Sequence, residues 1–162
     1  MTSPLTAWWV FMSDSIRWTP YVTVATVVEQ QGRFLLVEEY ADGRLVYNQP
    51  AGHLDDNEAI TAAAIRETLE ETAWEVTLDA LVGIYHWRHP DNALTFVRFC
   101  FAATGRQRDP DRALDAGIQQ AVWLSRAEIA ALHDRLRSPM VLRCIDDYLA
   151  GHRYPLSLIN RL

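Results

Sequence analysis

The stretch GHLDDNEAITAAAIRETLEET, residues 52–72, decides the fold. From Glu58 to Thr72 it predicts a helix, because three consecutive Ala and several Glu are strong helix formers. Asp55 with Glu58 three residues on predicts a capping box near its start. Glu67, Glu70 and Glu71 then stand at i, i+3 and i+4 and share one narrow face. Like charges so placed repel each other and weaken a helix. Ala62, Ile65 and Leu69 are expected on the opposite side, as the stripe that packs on a sheet. Converging carboxylates make sense around a hard divalent cation, which takes oxygen ligands and suits phosphate substrates. A solvated acidic face is the other reading of these three residues alone.

The flanks of this helix read as strands. Tyr21–Val28 is rich in β-branched residues, and Phe34–Val37 follows after a Gln-Gly turn, so the two predict a hairpin. Leu45–Asn48 is a short strand that stops at Pro50 and Gly52. Beyond the helix, Trp74–Val76, Leu81–Trp87, Leu94–Ala102 and Gln120–Leu124 carry strand character, with a polar loop over residues 105–115. Alternation along 94–102 puts Phe96, Arg98 and Cys100 on one face and Val97, Phe99 and Phe101 on the other. Ser125 with Glu128 predicts a capped helix over 126–134, and Pro139 opens a last helix to about Ala150. Strands, helix, strands and two helices in that order predict an α+β fold, with helices packed on a mixed sheet.

The composition sets limits on function. The chain has 162 residues, 49% apolar and 22% charged, which suits one globular domain. All fifteen basic residues are Arg, against 21 acids, for a net charge of −6. That balance argues against general binding of nucleic acid or of an anionic membrane. The excess is local: residues 52–75 hold seven acids and one Arg, while 14 acids and 14 Arg balance elsewhere. Cys100 and Cys144 lie in apolar flanks and read as buried free thiols, which suits a reducing cytoplasm. Residues 1–17 read as a flexible N-terminal extension ahead of a domain over 18–162, and residues 1–11 as dispensable sequence upstream of a start at Met12. Their apolar run, residues 5–12, is too short to span a bilayer.

Gly52, Glu58, Arg66, Glu67, Glu70 and Glu71 spell G-x5-E-x7-R-E-x2-E-E. This spacing resembles the Nudix box, the signature of the Nudix hydrolase family. Thr68 stands where that family usually has an aliphatic residue, and Ala73 where it usually has Gly after the helix. The stretch VYNQPAGHLDDNE (46–58), the YHW around His86 and the tail RSPMVLRCIDDYLAGHRYPLSLI (137–159) are similar to the NudJ-type phosphatase branch of the family. The likeness runs from about Trp18 to the C-terminus.

The resemblance implies an α/β/α sandwich with a mixed β-sheet between helices. It implies a Mg²⁺-dependent hydrolase, with Mn²⁺ as a possible substitute, acting on a small phosphorylated molecule as a monomer or homodimer. The implied reaction releases the terminal phosphate from nucleoside di- and triphosphates, thiamine pyrophosphate or hydroxymethylpyrimidine pyrophosphate. The alternative is nucleotide pyrophosphohydrolysis, giving a monophosphate and pyrophosphate or splitting ADP-ribose or another sugar nucleotide. A non-catalytic nucleotide sensor is a more distant reading. Glu67, Glu70 and Glu71 are the implied metal ligands, with the carbonyl of Ala51 a further oxygen and one carboxylate doubling as general base. Arg66 is implied to orient these acids, and Gly52 and Glu58 to support the loop.

Other residues are substrate candidates by their chemistry. Tyr47 has a ring to stack, and Asn48 and Gln49 carry amides that read polar edges. His53 beside Gly52 is a phosphate contact or an exposed loop residue. His86 belongs to a polar-aromatic cluster with Trp87 and Arg88. Arg98, on a face with Phe96 and Cys100, needs a partner if it points inward. A substrate phosphate and a structural carboxylate fit that need equally. Asp111 and Asp115 are the candidates for a further acid from a later loop, with Asp115 read as an ordinary loop residue.

Overall fold

The computed structural model describes residues 18–41 and 43–162. The expectations for residues 1–17 lie outside the described residues. Seven strands and three α-helices follow in the order β1 (Tyr21–Gln30), β2 (Arg33–Ala41), β3 (Arg44–Asn48), β4 (Ala51–His53), α1 (Ile60–Thr72), β5 (Trp74–Arg88), β6 (Thr95–Arg108), β7 (Ile118–Ser125), α2 (Arg126–Ala131) and α3 (Met140–Leu149). A short 3₁₀ turn lies at His133–Arg135 and another at Leu156–Leu158.

β1 and β2 form the expected hairpin, closed by Gln31 and Gly32, both at positive φ. They stay paired only beside that turn, at Glu29↔Phe34 and Gln30↔Arg33. Beyond it the strands part. β4 takes the vacated edge of β1, at Thr23↔His53, Val24↔Gly52 and Ala25↔Ala51. β3 pairs with β2 further along, and β7 joins β2 as well. On its other edge β1 runs parallel to β6, which pairs antiparallel with β5. The sheet is therefore mixed, and β4 lies where its two halves diverge.

The helices cover both faces, as period-2 alternation along the strands requires. Val24, Val28, Leu35, Phe101 and Ala103 meet Ala63 and Ala64 of α1 on one side. Ala25, Val27, Phe34, Leu36 and Cys100 meet Ile129 of α2 and Val141, Cys144 and Ile145 of α3 on the other. Both cysteines are buried and free, as expected. No described helix is long and apolar enough to cross a membrane.

Several details differ from the sequence reading. α1 begins at Ile60, with Ala59 as its N-cap and no side-chain cap bond. Glu58 Oε2 does accept from the Asp55 N–H at 3.3 Å, but this closes the preceding loop rather than capping the helix. The packing stripe of α1 is Ala63, Ala64, Glu67, Thr68, Glu71 and Thr72, whereas Ala62 and Ile65 face out and Leu69 is half-buried. Glu67 and Glu71 thus lie on the inner side of the helix, and Glu70 stays half-buried at its edge. β5 is one strand of 15 residues, bent by register shifts at three places, and β6 continues through Gly105 to Arg108. The capping box of Ser125 and Glu128 forms as expected, but α2 ends at Ala131 and the chain then tightens into a 3₁₀ turn.

Candidate functional site

The polypeptide enters the site through Pro50, Ala51 and Gly52, whose strand β4 passes directly over α1. A Cβ placed on Gly52 would lie 2.1 Å from the carboxyl carbon of Glu67. Glycine is the residue that lets this backbone approach the acid so closely. One turn on, Glu71 Oε2 accepts a 2.9 Å hydrogen bond from the Ala51 N–H. The loop and the helix are thereby clamped together at two consecutive turns.

Arg66 organises the outer side. Its Nε and Nη2 donate to the two carboxylate oxygens of Glu58 at 2.8 and 2.9 Å. Its Nη1 donates to Glu67 Oε1 at 2.8 Å and Glu70 Oε2 at 3.0 Å, and Nη2 also reaches the His53 carbonyl at 3.1 Å. One planar guanidinium therefore answers three carboxylates and a loop carbonyl, a pattern that the point charge of Lys cannot match. These hydrogen bonds, those to Glu58 foremost, hold Arg66 firmly protonated and draw the Glu58 carboxyl below its usual range.

The inner acids are in a different state. Burial pushes the Glu71 carboxyl up to about 8, helped by the charges of Glu39, Glu67 and Asp115 and opposed by the Ala51 N–H. Burial also raises Glu67, against the pull of Arg66. Asp115, weighed as a plain loop residue, lies close enough to repel both, and its N–H donates to the Glu70 carbonyl at 3.1 Å. Asp111 lies apart in an exposed turn with Asp109. Among the described residues, no three His, Cys, Asp or Glu side chains enclose an ion as they stand. The donor set still fits a hard divalent cation. It consists of oxygens only, and burial among like-charged neighbours disfavours the ionised carboxylates, a penalty that a bound cation would relieve.

Glu67 and Glu71 lie at one end of a cavity of about 430 Å³. Of the substrate candidates, Asn48, His53 and Arg98 line it. Tyr47 does not: its hydroxyl donates to Glu38 Oε1 at 2.7 Å and Arg135 covers its ring at 4.8 Å, on the far side of β3. Gln49 is buried in the core, where its Nε2 donates to the Thr26 carbonyl at 3.4 Å. His86 faces a separate groove beside Met140 and Tyr154. Alternation explains all three, because each is one residue out of phase with a neighbour that reaches the cavity: Asn48 between Tyr47 and Gln49, and Trp87 after His86.

The sequence reading missed Glu39, Thr23 and Ser138, which line the cavity too. Glu39 arrives on β2 from the other half of the sheet, and no local spacing links it to α1. The two departures from the box are also accounted for. Thr68 is fully buried; its hydroxyl donates to the Ala64 carbonyl at 2.7 Å and stands 2.8 Å from the hydroxyl of Thr26 on β1. Ala73 takes the left-handed conformation, φ 59 and ψ 16, and its N–H bonds to the Leu69 carbonyl, so the helix stop forms without Gly.

Comparison with known proteins follows the same lines. A family model described as NUDIX domain matches residues 18–144. Phosphatase NudJ of Escherichia coli strain K12 is 41% identical over 141 residues, 87% of this chain and 91% of that protein. Phosphatase NudJ of Shigella flexneri matches to the same extent. Among solved structures, a NUDIX hydrolase from Nitrosomonas europaea superposes with a TM-score of 0.87 at 47% identity, over 89% of this chain and 98% of that one. An ADP-ribose pyrophosphatase from Streptococcus suis, at 15% identity and TM-score 0.65 over 84% and 96% of the two chains, shares the fold.

Proposed function

We propose a function from one premise: the chain belongs to the Nudix hydrolase family. On our reading the enzyme cleaves the terminal phosphoric anhydride of a nucleoside di- or triphosphate, or of a thiamine-type diphosphate, and releases orthophosphate. The observation that carries this is that Glu67 and Glu71 line one end of a polar cavity together with Glu39, with Glu70 on the same helix face and Asp115 near enough to act on both inner acids. The 41% identity to Phosphatase NudJ supports the choice of the terminal phosphate.

Glu67, Glu70 and Glu71, with the Ala51 carbonyl, would hold Mg²⁺, or Mn²⁺ in its place. When bound there, such an ion neutralises phosphate oxygens and makes a water more acidic. Arg66 keeps Glu67 and Glu70 turned toward the loop, and Gly52 lets Glu67 lie against the backbone. Asn48, His53 and Arg98 meet the substrate from the cavity side. The unbridged thiols of Cys100 and Cys144 fit a reducing cytoplasm.

The test is incubation with thiamine pyrophosphate and with several nucleoside triphosphates in Mg²⁺, resolving orthophosphate from pyrophosphate. Orthophosphate is the expected product. Pyrophosphate with a nucleoside monophosphate would move the enzyme to the pyrophosphohydrolase reading, and no product with any of them would end the proposal.

A further inference from the structure

Arg98 lines the cavity floor, and no carboxylate among the described residues pairs with it. It is 5% exposed, and its Nε and Nη1 have no hydrogen-bond partner. Among the described residues it enters no ion pair. A guanidinium carries a full positive charge, with five N–H donors and no acceptor. An unpaired buried ion is among the most costly features a fold can carry.

Arg98 is not alone. Thr23 Oγ1, Asn48 Oδ1 and Ser138 Oγ line the same cavity, are buried, and also lack partners. These four residues come from β6, β1, β3 and the turn before α3. Buried polar atoms without partners are few in native proteins. Four residues that bring them to one cavity mark a surface completed by a ligand.

The sheet register orders the cavity. Glu67 lies against Gly52 on β4, Thr23 on β1 pairs with both His53 and Arg98, and Arg98 is thus two strands, about 10 Å at the usual spacing, from the backbone of β4 that covers Glu67. On the same face of β6, two residues from Arg98, Phe96 stacks on Trp87 with ring centroids 5.8 Å apart. The sequence of chemistries is acids, then guanidinium with hydroxyls, then aromatic wall. A neutral acceptor would meet the hydrogen bonds of Arg98 but leave its charge buried; a phosphate meets both needs.

We propose that Arg98, with the hydroxyls of Thr23 and Ser138, binds the phosphate that stays on the organic product, the one between the scissile anhydride and the ring-bearing part of the substrate. This rests on the proposed function, since it takes the acids to hold the departing phosphate. Asn48 Oδ1 is left to accept from a donor on the organic part. Arg98 is then a specificity residue: it favours a diphosphate or triphosphate over an anhydride with no inner phosphate group.

The experiment compares wild type with R98M, R98Q and R98K. Binding of thiamine monophosphate and of AMP is measured by calorimetry, with Mn²⁺ binding as a control and thermal midpoints recorded. The monophosphate that wild type binds should bind R98M and R98Q about 10- to 100-fold more weakly, the range for hydrogen bonds to charged groups. R98K should recover part of the loss, and Mn²⁺ affinity should not change. R98M should keep or raise the thermal midpoint, because replacing an unpaired buried ion with an apolar side chain removes its desolvation penalty. Wild type that binds neither monophosphate, unchanged binding in R98M and R98Q, or a midpoint lowered by many degrees in both would overturn the proposal. Binding that depends on Arg98 without any hydrolysis would sink the activity and spare the subsite; hydrolysis with binding indifferent to Arg98 would do the reverse.

Discussion

The acidic edge of α1 and the floor of the cavity beside it are both polar and both at least half-buried, yet they are held in opposite ways. Along α1, Arg66 binds Glu58, Glu67 and Glu70, and the Ala51 N–H binds Glu71. On the floor, polar atoms of Thr23, Asn48, Arg98 and Ser138 have no partner. The difference teaches what each region is for. The edge is tied down by the protein's own hydrogen bonds before any ligand arrives. The floor pays for its burial only when a ligand fills it.

This contrast can be broken most forcefully at Gly52. Gly52→Ala puts a methyl group 2.1 Å from the Glu67 carboxyl, so that carboxylate has to move. Hydrolysis should fall by about 100-fold, the scale of an ångström-sized misplacement, while circular dichroism stays native. Unchanged turnover would mean that the close approach of loop and acid is incidental. Arg66→Gln strikes the same edge through its counter-ion. A loss of about 10- to 100-fold is expected, as for residues that orient metal ligands, together with a lower thermal midpoint. Arg66→Lys should not restore full turnover, because an ammonium lacks the fork that bonds Glu58 with both Nε and Nη2. A lower midpoint here against a retained one in R98M is the sharpest form of the contrast.

The anchoring of α1 behind that edge gives smaller effects. Thr68 gives its own proton to the Ala64 carbonyl, so the Thr26 hydroxyl donates to it. Thr68→Val strands a buried hydroxyl and should cost about 1–3 kcal/mol in urea unfolding. Adding Thr26→Val should recover most of that, and a purely additive double variant would refute the pairing. Ala73→Gly is expected to change least. Release from the left-handed region is worth about 1–2 kcal/mol. The lost buried methyl, at about 0.8 kcal/mol, and the backbone entropy of Gly, at about 0.5–1 kcal/mol, offset it. A midpoint shift of many degrees would show that this cap is strained in a way its dihedrals do not reveal.

Much of the fold is legible in the sequence, and the reason lies in locality. The spacing of Gly52, Glu58, Arg66, Glu67, Glu70 and Glu71 is written in 20 consecutive residues. The hairpin, the α1 body, the Ser125 cap and the two-faced pattern of β6 are local as well. The inward side of α1 was not legible. Apolar Ala62, Ile65 and Leu69 look like a packing stripe, but the short β4 crosses the helix on its acidic side, so Ala62 and Ile65 face out and Leu69 is only half-buried. Glu39, Thr23 and Ser138 were invisible for a related reason: the divergence of β1 from β2 brings them together, and that is a property of long-range pairing. Single-residue phase decided the rest, since Tyr47 and Gln49 flank the cavity residue Asn48 and point away from it.

The most direct measurement is calorimetric titration of Mn²⁺ into wild type, Glu70→Gln and Glu71→Gln under conditions where all three are folded. Wild type should bind the ion, and each variant should lose at least about tenfold in affinity, in step with its loss of phosphate release. Equal binding in all three proteins, or hydrolysis that survives in a variant that no longer binds the ion, would contradict the assignment of these carboxylates.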